Sequence, residues 1–226
     1  VPPIEVNEKP AFSSLVAGVK YATSRKDLMG TYLVDLSAMF FAMPTALFPF
    51  WADQVNAPWA LGFFYAAGTI GSLLVTVTSG WVKSYTKHGR AIFLAALGWG
   101  VAITLAGLVN NLALILLFLI LAGASDMVSA LFRSVLWNQS IPDEFRGRLA
   151  GVELISYSVG PLGGQTRAGF TAERTSLRTS VVSGGLLCIG FVCFFTALLP
   201  DFRKYDSQTN EFAVSEAKKR KTAPNN

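Results

Sequence analysis

Three carboxylates of the 226-residue chain fall inside long apolar runs, Asp35, Asp126 and Glu153, and one guanidinium, Arg133, lies at the end of such a run. A charge inside hydrocarbon costs on the order of several kcal/mol, so an ionisable residue there marks a functional site by default. The chemistry open to these groups is ion pairing between helices or proton exchange with water. Asp126 and Arg133 are seven residues apart and share a helix face with Ala122 and Ser129, a small and polar stripe on an otherwise leucine-rich segment. Glu153 aligns in the same way with Tyr157, Gly160 and Gly164. Asp35 has no cation within one turn of its own segment, and it could instead cap backbone groups near Pro44. Asp126 with Arg133, or Glu153 with Arg148, could equally be an ion pair that only pins helices.

The elements that must position these groups are helices. Six apolar runs are long enough to cross a bilayer: Met29 to Phe50, Trp59 to Val82, Ala91 to Val109, Leu112 to Phe132, Leu149 to Ala168 and Thr179 to Leu199. A membrane barrel would alternate apolar and polar residues, whereas Leu112 to Leu121 contains no polar residue. The expected class is therefore an all-α membrane protein with six transmembrane helices. On these bounds Asp35 and Asp126 lie about 9 Å, and Glu153 about 6 Å, inside one end of their helices.

Composition agrees. Hydrophobic residues make up 52% and charged residues 15% of the chain, against about 25% charged in soluble domains. The mean hydropathy is +0.44. A soluble enzyme, a nucleic-acid binder and a disulfide-rich secreted domain are disfavoured. The net charge of +5 is read as a topology signal. With six spans both termini share one side, which receives Lys9, Lys20, Arg25, Lys26, Lys83, Lys87, Arg90, Arg133, Arg146, Arg148, Arg203 and Lys204, while the other receives Arg167, Arg174 and Arg178. That asymmetry places both termini in the cytoplasm of a multi-pass cell-membrane protein.

Residues 1–28 are polar and proline-bearing, and 201–226 read as a disordered basic cytoplasmic tail ending in the Lys218-Lys219-Arg220-Lys221 cluster. The remaining 29–200 form the six-helix unit. His88 reads as a solvated loop residue, and Cys188 and Cys193 as buried apolar thiols on different helix faces. Pro44, Pro49 and Pro161 interrupt or end spans, as static kinks or as points where helix halves move. The small-residue rows Gly68, Ser72, Thr76, Ser79 and Gly147, Gly151, Gly160, Gly164 read as close helix packing. No metal site, cysteine–histidine nucleophile arrangement or Gly-x-x-x-x-Gly-Lys-Ser/Thr phosphate loop occurs. The expected protein is not an enzyme and takes no cofactor.

Asp35, Ala38, Met39, Pro44 and Leu47-Phe48-Pro49, then Gly62, Tyr65, Ala66, Ala67 and Ser79-Gly80-Trp81, resemble the second half of major facilitator superfamily exporters, in the subgroup of the enterobactin exporter. Ile141-Pro142 with Arg146, Gly147, Arg148 and Gly151 resembles that group's loop between its tenth and eleventh helices. The resemblance runs from Ala11 to Tyr205 and implies helices seven to twelve of a twelve-helix transporter, with residues 1–28 as the end of the cytoplasmic loop between halves. It also implies a cytoplasmic gating loop. Gly80, Lys83, Lys87, Gly89 and Arg90 resemble a stretched copy of the family signature without its aspartate, and Arg146, Gly147 and Arg148 belong to the next loop. Gly151, Gly160-Pro161 and Gly163-Gly164 resemble part of the signature of proton-coupled drug antiporters.

The implied function is secondary active efflux of a siderophore or drug-like small molecule by alternating access, with proton coupling or substrate passage carried by Asp35, Asp126, Arg133 and Glu153. Partners would be membrane lipid, a small-molecule substrate and a missing N-terminal six-helix half, with no nucleic acid. Two alternatives stand beside it: a complete half-size homodimeric transporter or channel, and an inactive fragment of a split transporter.

Overall fold

The computed structural model describes residues 11–222; expectations that fall on residues 1–10 and 223–226 lie outside them. Ten α-helices and no strand occur among the described residues: α1 (Ala11–Ser24), α2 (Lys26–Phe41), α3 (Phe48–Gln54), α4 (Leu61–Val77), α5 (His88–Leu108), α6 (Leu112–Ser140), α7 (Asp143–Arg174), α8 (Leu177–Leu198), α9 (Pro200–Arg203) and α10 (Glu211–Thr222). Five stretches are long and apolar enough to cross a membrane: Lys26–Gln54, Pro58–Val77, His88–Leu108, Leu112–Ser140 and Leu177–Leu198. The remaining expected span, Leu149 to Ala168, lies within α7, which is 32 residues long but is not among those five.

Local chemistry explains most of the helix ends. Asn111 caps α6 by accepting from the Leu114 amide at 3.2 Å, and Ser176 caps α8 by accepting from the Thr179 amide at 3.1 Å. Pro44 cannot donate to a helical ladder, and α2 stops at Phe41 before a 3₁₀ turn, Thr45–Leu47, leads into α3. The expected first span is thus broken in two. The second span also ends early as an α-helix, at Val77, and finishes as the 3₁₀ stretch Ser79–Ser84.

Small residues set how the helices pack. α6 lies against both α4 and α5, α5 against α8, and α2 against α7 and α8. A side chain at Gly71 would strike the Ile120 carbonyl and one at Gly123 would strike the Gly68 backbone, so α4 and α6 meet backbone to backbone. Ser72 Oγ fixes the same contact by donating to the Gly123 carbonyl at 3.1 Å. Gly68 and Ser72 thus belong to the α4–α6 contact, but Thr76 is exposed. Gly160 and Gly164 pack against Met39 of α2. Large apolar side chains such as Leu73, Leu94, Val77, Leu186 and Phe194 remain exposed on the outer surface, the arrangement a lipid solvent allows.

The structure corrects three readings. The 201–226 segment is not disordered through residue 222: Phe202 and Tyr205 are fully buried and α10 follows. His88 is buried rather than solvated, its Nε2 bonded to the Tyr85 carbonyl at 2.9 Å. Cys188 is buried, but Cys193 is exposed.

Candidate functional site

Asp35 and Arg133 meet. The carboxylate on α2 forms a salt bridge with the guanidinium on α6, with side-chain exposures of 6% and 3%. A cation absent from the neighbouring turns of α2 is supplied by another helix, so Asp35 is not the lone acid that its own segment presents. Two further contacts hold α2 and α6 together one turn away. Trp137 Nε1 donates to Thr31 Oγ1 at 3.0 Å, and the Tyr32 and Trp137 rings stack with centroids 5.0 Å apart. The backbone near Pro44 is served by a different residue: Arg167 Nη2 donates to the Phe41 carbonyl at 2.7 Å. That contact satisfies an acceptor stranded where α2 ends inside the bundle.

Arg133 is incompletely satisfied. A guanidinium carries five N–H donors, and its Nε is buried with no hydrogen-bond partner. The same side chain lines a cavity of about 450 Å³ between α6 and α7, together with Trp137, Arg146, Glu153 and Tyr157. Glu153 and Tyr157 stand one turn apart on α7 and interact with each other. Glu153 therefore shares a cavity with Arg133, while Arg148 turns to the Phe145 ring, 5.3 Å from its centroid.

Asp126 is not bonded to the pair, but it lies within electrostatic reach of both Arg133 and Asp35. Because α6 continues to Ser140, Asp126 falls at the midpoint of that helix, about 21 Å of rise from its end, not near an end as the shorter apolar run places it. Among the described residues it makes no ion pair with Arg133. It lines a second cavity of about 300 Å³, with Phe48, Phe64, Tyr65 and Trp99.

The other sequence-derived candidates divide by surroundings. Lys83, Lys87, Arg90 and Gly80 are exposed around the 3₁₀ stretch and the start of α5. Gly89 is buried against the Phe202 carbonyl, where no side chain would fit. Arg146 Nη2 donates to the Asn138 carbonyl at 3.0 Å, at the end of α6, and Gly147 has open space around it. Pro49 occupies the first turn of α3, and Pro161 sits inside α7. Among the described residues no group of three His, Cys, Asp or Glu could hold a metal ion.

A buried cluster at the same end of the bundle has no counterpart in any sequence motif. Arg25 Nε and Nη2 donate to the two Asp27 carboxylate oxygens at 3.1 and 2.5 Å. Its Nη1 donates to the Ser140 carbonyl at 2.7 Å and to Tyr21 Oη at 3.2 Å, and the guanidinium lies 3.6 Å from the Phe212 ring centroid. One side chain thus ties α1, α2, α6 and α10 together. In the sequence Arg25 reads only as a topology charge, because its partners lie up to 187 positions away.

This geometry has relatives. The chain is 28% identical over 210 residues to the multidrug efflux pump Tap of Mycolicibacterium fortuitum, covering 91% of this chain and 50% of the relative. It is 27% identical over 220 residues to the enterobactin exporter EntS of Escherichia coli O1:K1, covering 96% of this chain and 52% of the relative. The enterobactin exporter of Shigella flexneri is 29% identical over 218 residues, covering 96% and 51%. The described residues form an all-α arrangement with five stretches long and apolar enough to cross a membrane, consistent with one half of a major facilitator superfamily fold. The chain spans about half the length of these relatives, and the shared stretch is their C-terminal half. No family model and no solved structure matches the chain significantly. The Asp35–Arg133 pair joins the first and fourth expected spans.

Proposed function

We propose that the chain forms the C-terminal six-helix half of a proton-coupled exporter, with both ends cytoplasmic, that moves a siderophore or drug-like molecule outward by alternating access. The similarity to two kinds of exporter over more than nine-tenths of the chain supports efflux. The cationic bias of the termini and of the loops at the same end supports the orientation. Enterobactin and the varied substrates of a multidrug pump are the candidate cargo classes.

The single observation that carries the mechanism is the buried Asp35–Arg133 pair with a guanidinium nitrogen left unpartnered. A carboxylate holds the guanidinium only while it is ionised. Protonation of Asp35 removes that hold, and the Arg133 cation then seeks another anion, Glu153 on α7 across the shared cavity or Asp126 two turns along α6. The groups facing the exchange are thus Asp35, Asp126, Glu153, Tyr157 and Arg133. Because Asp35 and Glu153 belong to different helices, moving the cation between them changes which helices are held together. That is the two-state element alternating access requires.

Asp35→Asn in the complete transporter is expected to abolish uphill efflux of enterobactin and of ethidium, with membrane abundance retained. Cells would be loaded with each compound and outward movement followed with and without a protonophore. Protonophore-sensitive efflux at the wild-type rate by the variant would leave Asp35 as a static pin.

A further inference from the structure

A groove of about 420 Å³ lies where the 3₁₀ stretch Ser79–Ser84, the first turns of α5 and the middle of α6 come together, and it shares no lining residue with either cavity described above. Phe132, fully buried, closes one end of it, and the Trp81 and Tyr85 rings stand against Phe132, each with its centroid 5.5 Å away. From there the groove follows α6 back to Leu121, past Leu94 of α5, and no charged residue lines it. Trp81, Tyr85, Leu94 and Leu121 are all exposed, so the groove opens to the surroundings of the bundle rather than to another helix. Leu121 to Phe132 spans about 16 Å of helix rise, close to half of a hydrocarbon core about 30 Å thick.

The end marked by Trp81 and Tyr85 carries the charge. Lys83, Lys87 and Arg90 are exposed there, and none of them forms an ion pair among the described residues. Residues 79–95 contain no acid. The acid that approaches from the C-terminal segment, Asp206, accepts from Thr86 Oγ1 at 3.2 Å and from the Gln208 amide at 3.0 Å. An apolar trough one leaflet deep therefore ends in an aromatic pair and three cations without a counter-charge.

We propose that this groove holds an anionic phospholipid of the leaflet at the basic end of the bundle, one acyl chain lying along α6 and the phosphate-bearing headgroup held by Lys83, Lys87 and Arg90. Trp and Tyr suit the depth where chain gives way to headgroup, because one end of each ring system is apolar and the other polar. Each cation close to an anionic membrane surface strengthens attachment about fivefold. A zwitterionic lipid fills the trough equally well but brings no net charge to the rim. The groove on α8, lined by Leu186, Leu187, Phe191 and Phe194, has no Lys or Arg within four positions of its lining. It takes an acyl chain without regard to headgroup and serves as an internal reference.

The site is independent of the exporter reading, since occupancy needs neither a gradient nor a substrate. The 226-residue chain in mixed micelles would be photolabelled with phosphatidylglycerol and with phosphatidylcholine carrying the same diazirine-bearing acyl chain, and the labelled peptides mapped. Residues 121–132 are expected to be labelled by phosphatidylglycerol at a concentration about tenfold or more below that needed for phosphatidylcholine, while residues 183–194 are labelled equally by both. Lys83→Gln, Lys87→Gln and Arg90→Gln together should erase the difference at 121–132 and leave labelling of 183–194 unchanged, which also shows that the variant is folded. Equal labelling of 121–132 by the two lipids in the wild type would overturn the proposal, a result that needs no variant to fold. So would a phosphatidylglycerol preference that survives the loss of all three cations. Displacement of the label by glycerol 3-phosphate at concentrations as low as those of unlabelled phosphatidylglycerol would also overturn it, because the site would then take a soluble phosphate and not a lipid.

Discussion

Arg133 joins two helices and borders one cavity, and its surroundings determine what its loss would do. Removing the guanidinium leaves Asp35 buried without a cation, whereas Asp35→Asn leaves Arg133 with Glu153 and Asp126 within reach of rearrangement. Removing one member of a buried pair costs roughly 3–5 kcal/mol when nothing replaces it. Arg133→Gln is therefore expected to lower the thermal unfolding midpoint in detergent more than Asp35→Asn does. Equal shifts would mean that Asp126 and Glu153 give Arg133 no alternative. Arg167 invites a second test, because its guanidinium serves the Phe41 carbonyl at the break in α2. Arg167→Leu strands that acceptor and is expected to destabilise the bundle by about 1–3 kcal/mol, read by the same melts.

These residue-level relations were only partly visible beforehand. Asp35, Asp126, Arg133 and Glu153 stand out because charge in an apolar run is expensive, and that signal needs no fold. Which carboxylate holds Arg133 was not legible. Helix periodicity relates Asp126 to Arg133 because they share α6, but the ion pair forms with Asp35, 98 positions away, and only the packing of α2 on α6 decides it. Arg25 and Arg167 were hidden for the same reason: a cation bonded to a distant carbonyl looks in sequence like any loop cation.

At the scale of elements, contact between α4 and α6 depends on the absence of side chains at Gly71 and Gly123. Gly71→Leu forces the two backbones apart and is expected to cost about 1–3 kcal/mol or more. An unchanged melting midpoint would show that the two helices can separate freely. The helices at the ends depend on Arg25 in the same way. Arg25→Ala removes the link between α1, α2, α6 and α10, so limited proteolysis should cut near residues 206–210 faster than in the wild type. Equal cleavage rates would mean α10 is held by Arg220, which donates to the Asn138 carbonyl at 2.8 Å.

Apolar run length marks five of the six expected spans as stretches long and apolar enough to cross a membrane, because lipid leaves a strong compositional mark on exposed faces, while Leu149 to Ala168 falls inside the longer α7, which is not among the five. Run length places the end of α6 eight residues early, at Phe132 instead of Ser140, since the helix runs on with polar side chains past the apolar stretch. The tail departs from the disorder its composition suggests for a related reason. A segment rich in Lys, Glu, Ser and Asn has too little apolar surface to signal a fold, yet Phe202, Tyr205 and Ala213 are buried, so a few well-placed residues order it against the bundle.

At the scale of the whole molecule, two of the cavities among the described residues differ in character: one beside α7 is lined by Arg133, Arg146 and Glu153, and one bounded by the Pro44 break and α3 to α6 is aromatic with Asp126. A pathway between two halves needs a wall from each, and the chain spans about half the length of its relatives. Purified chain reconstituted alone is therefore expected to show no uphill transport, measured as substrate accumulation in proteoliposomes under an imposed pH gradient. Accumulation at a rate comparable to a twelve-helix exporter would favour a homodimer of this chain.

Proton movement coupled to substrate tests the central claim most directly. Proteoliposomes of the complete transporter, holding a pH gradient reported by an entrapped dye, would be given a transported substrate. The wild type should dissipate the gradient on addition of substrate, and Asp35→Asn should leave it standing while still exchanging labelled for unlabelled substrate. Substrate-triggered dissipation by Asp35→Asn at the wild-type rate would contradict a coupling role for the Asp35–Arg133 pair.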